Sequence, residues 1–229
     1  MVAPGKVEKY YMEKMQSQGA MLFSLIDPDK FALEKGRKIA KASAENGADA
    51  ILVGGSVGAQ GKLLDDTVKM IKDESNGLPV VLYPGNISGL SPNADAVYFM
   101  HMLNSRDVYW LSTAQIQGAP VVARMGIEAI PTTYLIIEPG RAVGWIGNAN
   151  VVPRERSDLA AACALAAKYT GSHVLITDAG SGSPHPATNE MVSAIATAVG
   201  RDLFYFNAGG IKTPKQAEEC INAGAHGIR

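Results

Sequence analysis

The chain has 229 residues, close to the ~250 residues that are typical of a single (β/α)8 barrel. Hydrophobic residues make up 47% of it and charged residues 19%, a balance that is typical of a globular protein with a sizeable core. The net charge of -1 excludes a broad electrostatic surface for nucleic acid, because no excess of lysine and arginine is present to neutralise phosphates. Any phosphate group would have to be bound by a local site.

The cysteines and the first residues of the chain indicate in which cellular compartment the protein is expected. Cys163 and Cys220 lie in separate predicted helices and form no CxxC pair, so neither zinc binding nor a disulfide framework is expected. The N-terminal residues lack the apolar segment of a signal peptide, and no uncharged apolar stretch approaches the ~18 residues of a membrane span. We therefore expect a soluble cytoplasmic protein, for which a peripheral contact with a membrane surface stays open.

Short apolar runs alternate with segments of helical periodicity along the chain. Seven runs predict strands, at residues 21–27, 49–55, 79–85, 94–101, 132–139, 173–180 and 203–210. Most segments between them repeat apolar residues at i, i+3 and i+4 and end at glycine, which is typical of helices. Strands that are almost continuously apolar are buried on both faces, as in a parallel sheet covered by helices. Seven strand–helix units favour a closed α/β TIM barrel over an open doubly wound sheet.

The end of the chain affects this prediction. It stops at GAHGIR, where an eighth strand is expected to begin. We therefore predict one barrel domain over residues 1–229 whose eighth strand and last helix are missing, and a native protein that continues past Arg229. Without the eighth strand, one edge of the sheet would be unpaired.

Two glycine-rich loops follow the sixth and seventh predicted strands, at the strand ends where barrels carry their functional groups. After the seventh strand, Gly209 and Gly210 allow the backbone to approach an anion closely, and Thr213-Pro214 begins a helix with Thr213 as its N-cap. Exposed amides and the helix dipole favour a phosphate there. The second loop is DAGSGSP at 178–184. Each loop alone is explained equally well as a tight turn, but two adjacent loops favour a phosphate site.

Two aspartates follow the first predicted strand. Asp27 and Asp29 would lie near Ser56, which follows the second strand. Paired carboxylates beside a hydroxyl suit Mg²⁺, which takes a few protein oxygens and leaves room for substrate phosphates. The alternative is that Asp29 caps the next helix and Asp27 closes a turn, and the spacing does not decide between the two.

Seven segments, in order, resemble the geranylgeranylglyceryl phosphate synthases of archaea. They are LIDPDK (25–30), VGGS (53–56), LYPGN (82–86), NSRDVYW (104–110), IEPGRAVGWIGNA (137–149), DAGSGS (178–183) and NAGGIKTPKQAEE (207–219). The resemblance implies a phosphate-binding TIM barrel that transfers a prenyl group, expected from geranylgeranyl diphosphate, to sn-glycerol 1-phosphate. Diphosphate would be released, and the ether product would serve membrane phospholipid biosynthesis. The bacterial heptaprenylglyceryl phosphate synthases are related to this family.

The resemblance also implies roles for individual residues. Asp27 and Ser56 match the magnesium-binding positions. One branch of the family has a lysine two residues before the first aspartate, where this chain has Leu25, and Lys30 would supply that charge to the donor's diphosphate instead. Asp178 would orient the acceptor's hydroxyl and accept its proton as the general base. The substrate-binding positions are Asn86, Ile176, Thr177, Asp178, Ala179, Gly180, Ser181, Gly182, Gly209 and Gly210.

The sixth predicted strand departs from the family, which usually has Tyr-Leu-Glu where this chain has Ile176-Thr177-Asp178. The tyrosine hydroxyl is missing at position 176, and aspartate is one methylene shorter than glutamate. The carboxylate would therefore lie about 1.5 Å further back, one C–C bond length. Because a misplacement of ~1 Å can cost 10²-fold in rate, the acceptor is the least secure part of the resemblance.

Aromatic residues suggest a groove and an interface. Tyr98, Met100 and Tyr134 are candidates for lining a prenyl groove, although barrel core is the preferred interpretation for each. Family members are dimers or larger, so a homo-oligomer, either a dimer or a hexamer, is expected. Trp145 is the candidate interface anchor, and packing under its own loop explains it equally well.

Two other functions stay open. An isomerase or synthase acting on a sugar phosphate would keep the 207–214 loop but would need no metal at Asp27. A non-catalytic barrel that binds phosphorylated ligands is suggested by the altered residues of the sixth strand.

Overall fold

Eight strands form the sheet of the computed structural model, which describes residues 3–55 and 58–229. They are β1 (Met21–Ile26), β2 (Ala50–Val53), β3 (Val80–Leu82), β4 (Ala96–Met102), β5 (Glu128–Ile136), β6 (Val174–Asp178), β7 (Phe204–Ala208) and β8 (Gly227–Ile228). The strands follow one another in this order in a closed barrel. The predicted barrel class and all seven predicted strands are confirmed.

Eight α-helices occur within the described residues. They are α1 (Lys6–Gln18), α2 (Leu33–Glu45), α3 (Gly61–Glu74), α4 (Ala114–Met125), α5 (Arg141–Ile146), α6 (Ser157–Tyr169), α7 (Asn189–Val199) and α8 (Pro214–Asn222). The segments of helical periodicity that follow the predicted strands correspond to six of them. The sequence did not predict α1, which is rich in charged residues, or α5, which has six residues. Within the described ranges, no helix is long and apolar enough to cross a membrane.

The expectation that the eighth strand and the last helix are missing is wrong. Gly227 and Ile228 form β8, which pairs in parallel with Phe206 and Asn207 of β7. With α1 and α5 included, the described residues contain eight α-helices, together with a π-helix at Tyr109–Thr113, as well as eight strands. A strand of two residues is too short to show a hydrophobic period, so only its backbone pairing reveals it.

The chain packs as two compact units. Apart from the first two residues of the chain, these are an N-terminal unit (Ala3–Phe99 and Ala114–Ile130) and a C-terminal unit (Met100–Thr113 and Pro131–Arg229). In the N-terminal unit, β1, β2 and β3 pair in register, so that Ile26, Val53 and Leu82 are neighbours. Their buried side chains form one core with the apolar faces of α2 and α3, which supplies the hydrophobic stabilisation of this unit.

The core of the C-terminal unit lies between its strands and helices α6, α7 and α8. Leu135, Leu175 and Tyr205, from β5, β6 and β7, are fully buried in it. Helix α6 contributes mainly alanines, whose small side chains let the helix approach the sheet closely. Because side chains alternate along a strand, Leu175 on the helix side places Asp178, three residues later, on the other face of β6.

Replacement of a core leucine tests this packing. Leu135→Ala should lower the free energy of unfolding by about 2 to 5 kcal/mol, because it leaves a cavity beside α6 and α7. Chemical denaturation measures the change. The matched control is Leu159→Ala, on the same unit but 40% exposed, which should change the free energy by less than about 1 kcal/mol. Equal effects of the two substitutions would contradict the assignment of Leu135 to the core.

Candidate active site

Asp178 ends β6 with an almost fully buried carboxylate on which three hydrogen-bond donors converge. The hydroxyl of Tyr134 donates to Oδ2 over 2.7 Å, and Nη2 of Arg229 donates to the same oxygen over 2.6 Å. The amide of Gly180 donates to Oδ1 over 2.6 Å. Since a carboxylate has about four lone-pair positions, these bonds leave one position, on Oδ1.

These donors come from different strands. Tyr134 lies on β5 directly opposite Ile176, so the neighbouring strand brings a tyrosine hydroxyl to a strand that lacks one at position 176. Arg229 follows β8, and its amide donates to the carbonyl of Asn207 on β7 over 3.1 Å. Sequence analysis did not identify either side-chain partner of Asp178, Tyr134 or Arg229. They become visible only when the strand pairing is known, because Arg229 is separated from Asp178 by 51 positions.

The two glycine-rich loops lie against each other, as predicted. Gly209 and Gly210 have φ angles of 83° and 82°, in the left-handed region that favours glycine. A Cβ on Gly210 would lie 2.2 Å from the carbonyl oxygen of His185, so only glycine permits this contact between the loops. Thr213 caps α8 by accepting a hydrogen bond from the amide of Gln216 over 3.2 Å, which confirms the predicted helix start.

Basic side chains border the loop that follows β6. Ser181 and Gly182 are exposed at its tip. Nη2 of Arg141 lies 3.9 Å from the position that a Cβ on Gly182 would take, and Nζ of Lys212 lies 3.5 Å from the carbonyl oxygen of Pro184. The exposed backbone at Ser181 and Gly182, beside two cations, suits a bound anion. Sequence analysis assigned no role to Arg141 or Lys212, although both lie in segments that carry the resemblance, because the sequence does not show that they border the loop after β6.

Two of the predicted substrate-binding residues turn their side chains towards the helices. The hydroxyl of Thr177 donates to Asn207 over 2.9 Å, and Asn207 in turn donates to the thiol of Cys220 on α8 over 3.2 Å. Burial raises the pKa of the Cys220 thiol to about 11, so the thiol stays protonated in this position. Ala179 is fully buried in the core of the C-terminal unit. The side chains of Thr177 and Ala179 therefore pack on the helix side of β6, away from the carboxylate of Asp178.

The aspartates after β1 lie in the N-terminal unit. Asp27 is buried, and its Oδ2 forms an ion pair with Nζ of Lys30 at 2.5 Å. A Cβ on Gly54 would lie 2.9 Å from Oδ1 of Asp27, and one on Gly55 would lie 3.1 Å from Oδ1 of Asp29. Both carboxylates thus border the loop after β2. Ser56 belongs to this loop but lies outside the described residues.

The donor set at this loop fits Mg²⁺. Two carboxylates offer hard oxygen ligands, and glycines keep side chains away from their Oδ1 atoms. The ion pair with Lys30 shows that Oδ2 of Asp27 already binds a positively charged group.

Asn86, predicted for substrate binding, forms a local turn in which its Oδ1 accepts a hydrogen bond from the amide of Ser88 over 2.8 Å.

Gly209 tests the packing around Asp178. A Cβ at this position would lie 2.7 Å from Oδ1 of Asp178, and the φ of 83° is strained for alanine. The control is Gly171, whose φ of 84° is the same but whose Cβ position has no atom within 4 Å. Gly171→Ala should cost about 1 to 2 kcal/mol of unfolding free energy, from the backbone alone. Gly209→Ala should cost more, as measured by urea denaturation. Equal costs would mean that the space beside Asp178 is not confined.

Known proteins are similar to this chain in sequence and in structure. Residues 14–228 match the PcrB family. The geranylgeranylglyceryl phosphate synthase of Pyrococcus horikoshii is 46% identical over 221 residues, which cover 96% of this chain and 85% of that protein. The synthase of Pyrococcus abyssi is 47% identical over 225 residues, which cover 98% of this chain and 88% of that protein.

A solved structure agrees. The crystal structure of (S)-3-O-geranylgeranylglyceryl phosphate synthase from Thermoplasma acidophilum, in complex with substrate sn-glycerol-1-phosphate, matches with a TM-score of 0.92. Its sequence is 34% identical, and the match covers 98% of this chain and 90% of that one. The resemblance found in the sequence is confirmed, and the chain belongs to the PcrB family.

Proposed function

We propose that this chain is a prenyltransferase that joins a prenyl diphosphate, taken to be geranylgeranyl diphosphate, to sn-glycerol 1-phosphate. The observation that carries the proposal is the match, over nearly the whole chain, to synthases of this name. The related Thermoplasma acidophilum structure, which holds sn-glycerol-1-phosphate, supports the choice of acceptor. The buried carboxylate beside two glycine-rich loops supplies the groups that this acceptor needs.

The acceptor is assigned to the C-terminal unit. Its phosphate would bind the exposed backbone at Ser181 and Gly182 and the turn at Gly209, with Arg141 contributing positive charge. One glycerol hydroxyl would donate to Oδ1 of Asp178, which has one lone-pair position left. This arrangement fixes the hydroxyl before the reaction, and positioning of this kind lowers the barrier to transfer.

The chemical step is a substitution at the first carbon of the prenyl chain. The hydroxyl oxygen forms the new C–O bond while the bond to the diphosphate breaks, and diphosphate departs with the electron pair. The hydroxyl's proton passes to Oδ1 of Asp178, which acts as general base. The products are a prenyl ether of glycerol phosphate and diphosphate.

The donor's diphosphate is assigned to the N-terminal unit. Asp27, with Asp29 and Ser56 nearby in the chain, would hold Mg²⁺, and Lys30 would turn from Asp27 to the diphosphate. When bound, Mg²⁺ supplies Lewis-acid stabilisation of the charge that develops on the leaving group. Lys30 has the freedom to move, because nearly half of its side chain is exposed.

The chemistry of the product suggests its setting. An ether of a long prenyl chain and glycerol phosphate is an amphiphile, so we assign the reaction to membrane phospholipid biosynthesis and infer a peripheral contact with the membrane. We also infer a homo-oligomer, for which Trp145 on α5 is the candidate anchor, since 85% of it is exposed.

The role of Asp178 is tested by removing its charge. Asp178→Asn should slow transfer from labelled geranylgeranyl diphosphate to sn-glycerol 1-phosphate by about 10²-fold or more, because the amide cannot accept the proton. Asp158→Asn is the matched control in the same unit, since Asp158 is an exposed aspartate that also pairs with an arginine. Its rate should equal that of the wild type. Full activity of Asp178→Asn would remove this residue from the mechanism.

The dependence on Mg²⁺ is tested by chelation and by Asp27→Asn. Transfer should stop when the metal is removed and return when Mg²⁺ is added back. Asp27→Asn should reduce transfer on the order of 10²-fold and raise the Mg²⁺ concentration needed for half-maximal rate. Asp66→Asn, which removes the partner of exposed Lys62, controls for the loss of an Asp–Lys pair. Undiminished transfer in the presence of a chelator would refute the metal assignment.

A further inference from the structure

The pair formed by Asp178 and Arg229 is the most buried arginine–carboxylate pair among the described residues. The side chain of Asp178 is 2% exposed and that of Arg229 is 12% exposed. The pair of Arg156 and Asp158, with nearly the same separation of 2.7 Å, has side chains that are 49% and 65% exposed. Because burying two charges costs free energy that their attraction repays only in part, such a pair is weak evidence for stability alone. A role in the site is the better explanation.

The hydrogen bonds to Asp178 are divided unequally between its two oxygens. Among the described residues, Oδ2 accepts from both Tyr134 and Arg229, whereas Oδ1 accepts only from the amide of Gly180. Rotation of the carboxylate out of its present plane, about the Cβ–Cγ bond, would break the two hydrogen bonds to Oδ2, one of them from a charged group, and the bond from Gly180 to Oδ1. The carboxylate plane therefore keeps its orientation.

Backbone groups of both glycine-rich loops surround this oxygen. The point that a Cβ on Gly209 would occupy is 2.7 Å from Oδ1 of Asp178 and 2.9 Å from the amide nitrogens of Ala179 and Gly180, which is too close for a carbon atom. Glycine at this position therefore lets the loop after β7 pass close to the carboxylate.

We propose that Arg229 is a positioning residue of the acceptor site: it holds Oδ2 of Asp178, which fixes the plane of the carboxylate and leaves Oδ1 to accept a hydrogen bond from the acceptor's hydroxyl. The inference rests on the proposed function and extends it by one residue. It explains how a carboxylate one methylene shorter than glutamate can be held in a defined place. Tyr134 has the same role through a neutral and weaker hydrogen bond.

The test is the affinity of the full chain for sn-glycerol 1-phosphate, measured by titration calorimetry without the prenyl donor. Arg229→Met should weaken binding about tenfold, since it removes a hydrogen bond to a charged group. Arg229→Lys should restore part of this loss, because it keeps the charge. Tyr134→Phe should weaken binding less than Arg229→Met. The KM for the prenyl diphosphate should change less than twofold in all three variants, whereas a general structural defect would change both constants.

Two comparisons decide the outcome. Arg156→Met removes an arginine from the exposed pair and should leave acceptor affinity unchanged. In an Asp178→Asn background, Arg229→Met should have little further effect, because the carboxylate it positions is gone. If Arg229→Met does not fold, Arg229→Lys and Tyr134→Phe carry the same test. Wild-type protein that fails to bind the acceptor overturns the proposed function. If the wild type binds the acceptor and the Arg229 and Tyr134 substitutions leave its affinity unchanged, this inference alone is overturned. The same holds if the loss of affinity from Arg229→Met adds to that from Asp178→Asn.

Discussion

The buried carboxylate of Asp178 is the group on which the arrangement of the C-terminal unit depends. An unpaired charge in this position would cost several kcal/mol, and removal of one partner from a buried pair typically costs about 3 to 5 kcal/mol. Three donors meet this demand, and they come from β5, from the residue after β8 and from the loop after β6. The ends of three chain segments are thereby fixed relative to one oxygen pair, which is the condition for a preorganised site.

Side chains alternate along β6, so the strand places its site residue on one face and its core residues on the other. Leu175 and Thr177 face the helices, where Thr177 bonds to Asn207 and Asn207 bonds to Cys220 on α8. Asp178 faces the other side. A shift of β6 by one residue would exchange these two sets, placing the carboxylate in the apolar core. The polar contacts on the helix side thus specify the register that delivers Asp178 to its donors.

Local patterns predicted most of the fold, because an apolar strand or an amphipathic helix can be recognised from consecutive residues. They failed for β8, whose two residues carry no period, and for α5, whose six residues fall below the usual helix length. In the site, the motif identified Asp178 and the glycine-rich loops. It could not identify Tyr134 or Arg229 as partners of Asp178, because those contacts depend on which residues stand opposite one another across strands. Arg141 and Lys212 were not recognised because their approach to the loop after β6 depends on how separate loops pack together.

The two principal aspartates differ in how firmly their positive partners are held. Lys30 is three residues from Asp27, and nearly half of its side chain is exposed, so this pair separates more easily than one in which both side chains are buried. Arg229 is buried against Asp178 and shares Oδ2 with a tyrosine hydroxyl. A carboxylate with an exchangeable partner can accept a metal ion in its place, whereas a carboxylate with a fixed partner keeps its orientation through the reaction. This difference in solvent exposure is the physical reason to assign ion binding to Asp27 and hydroxyl positioning to Asp178.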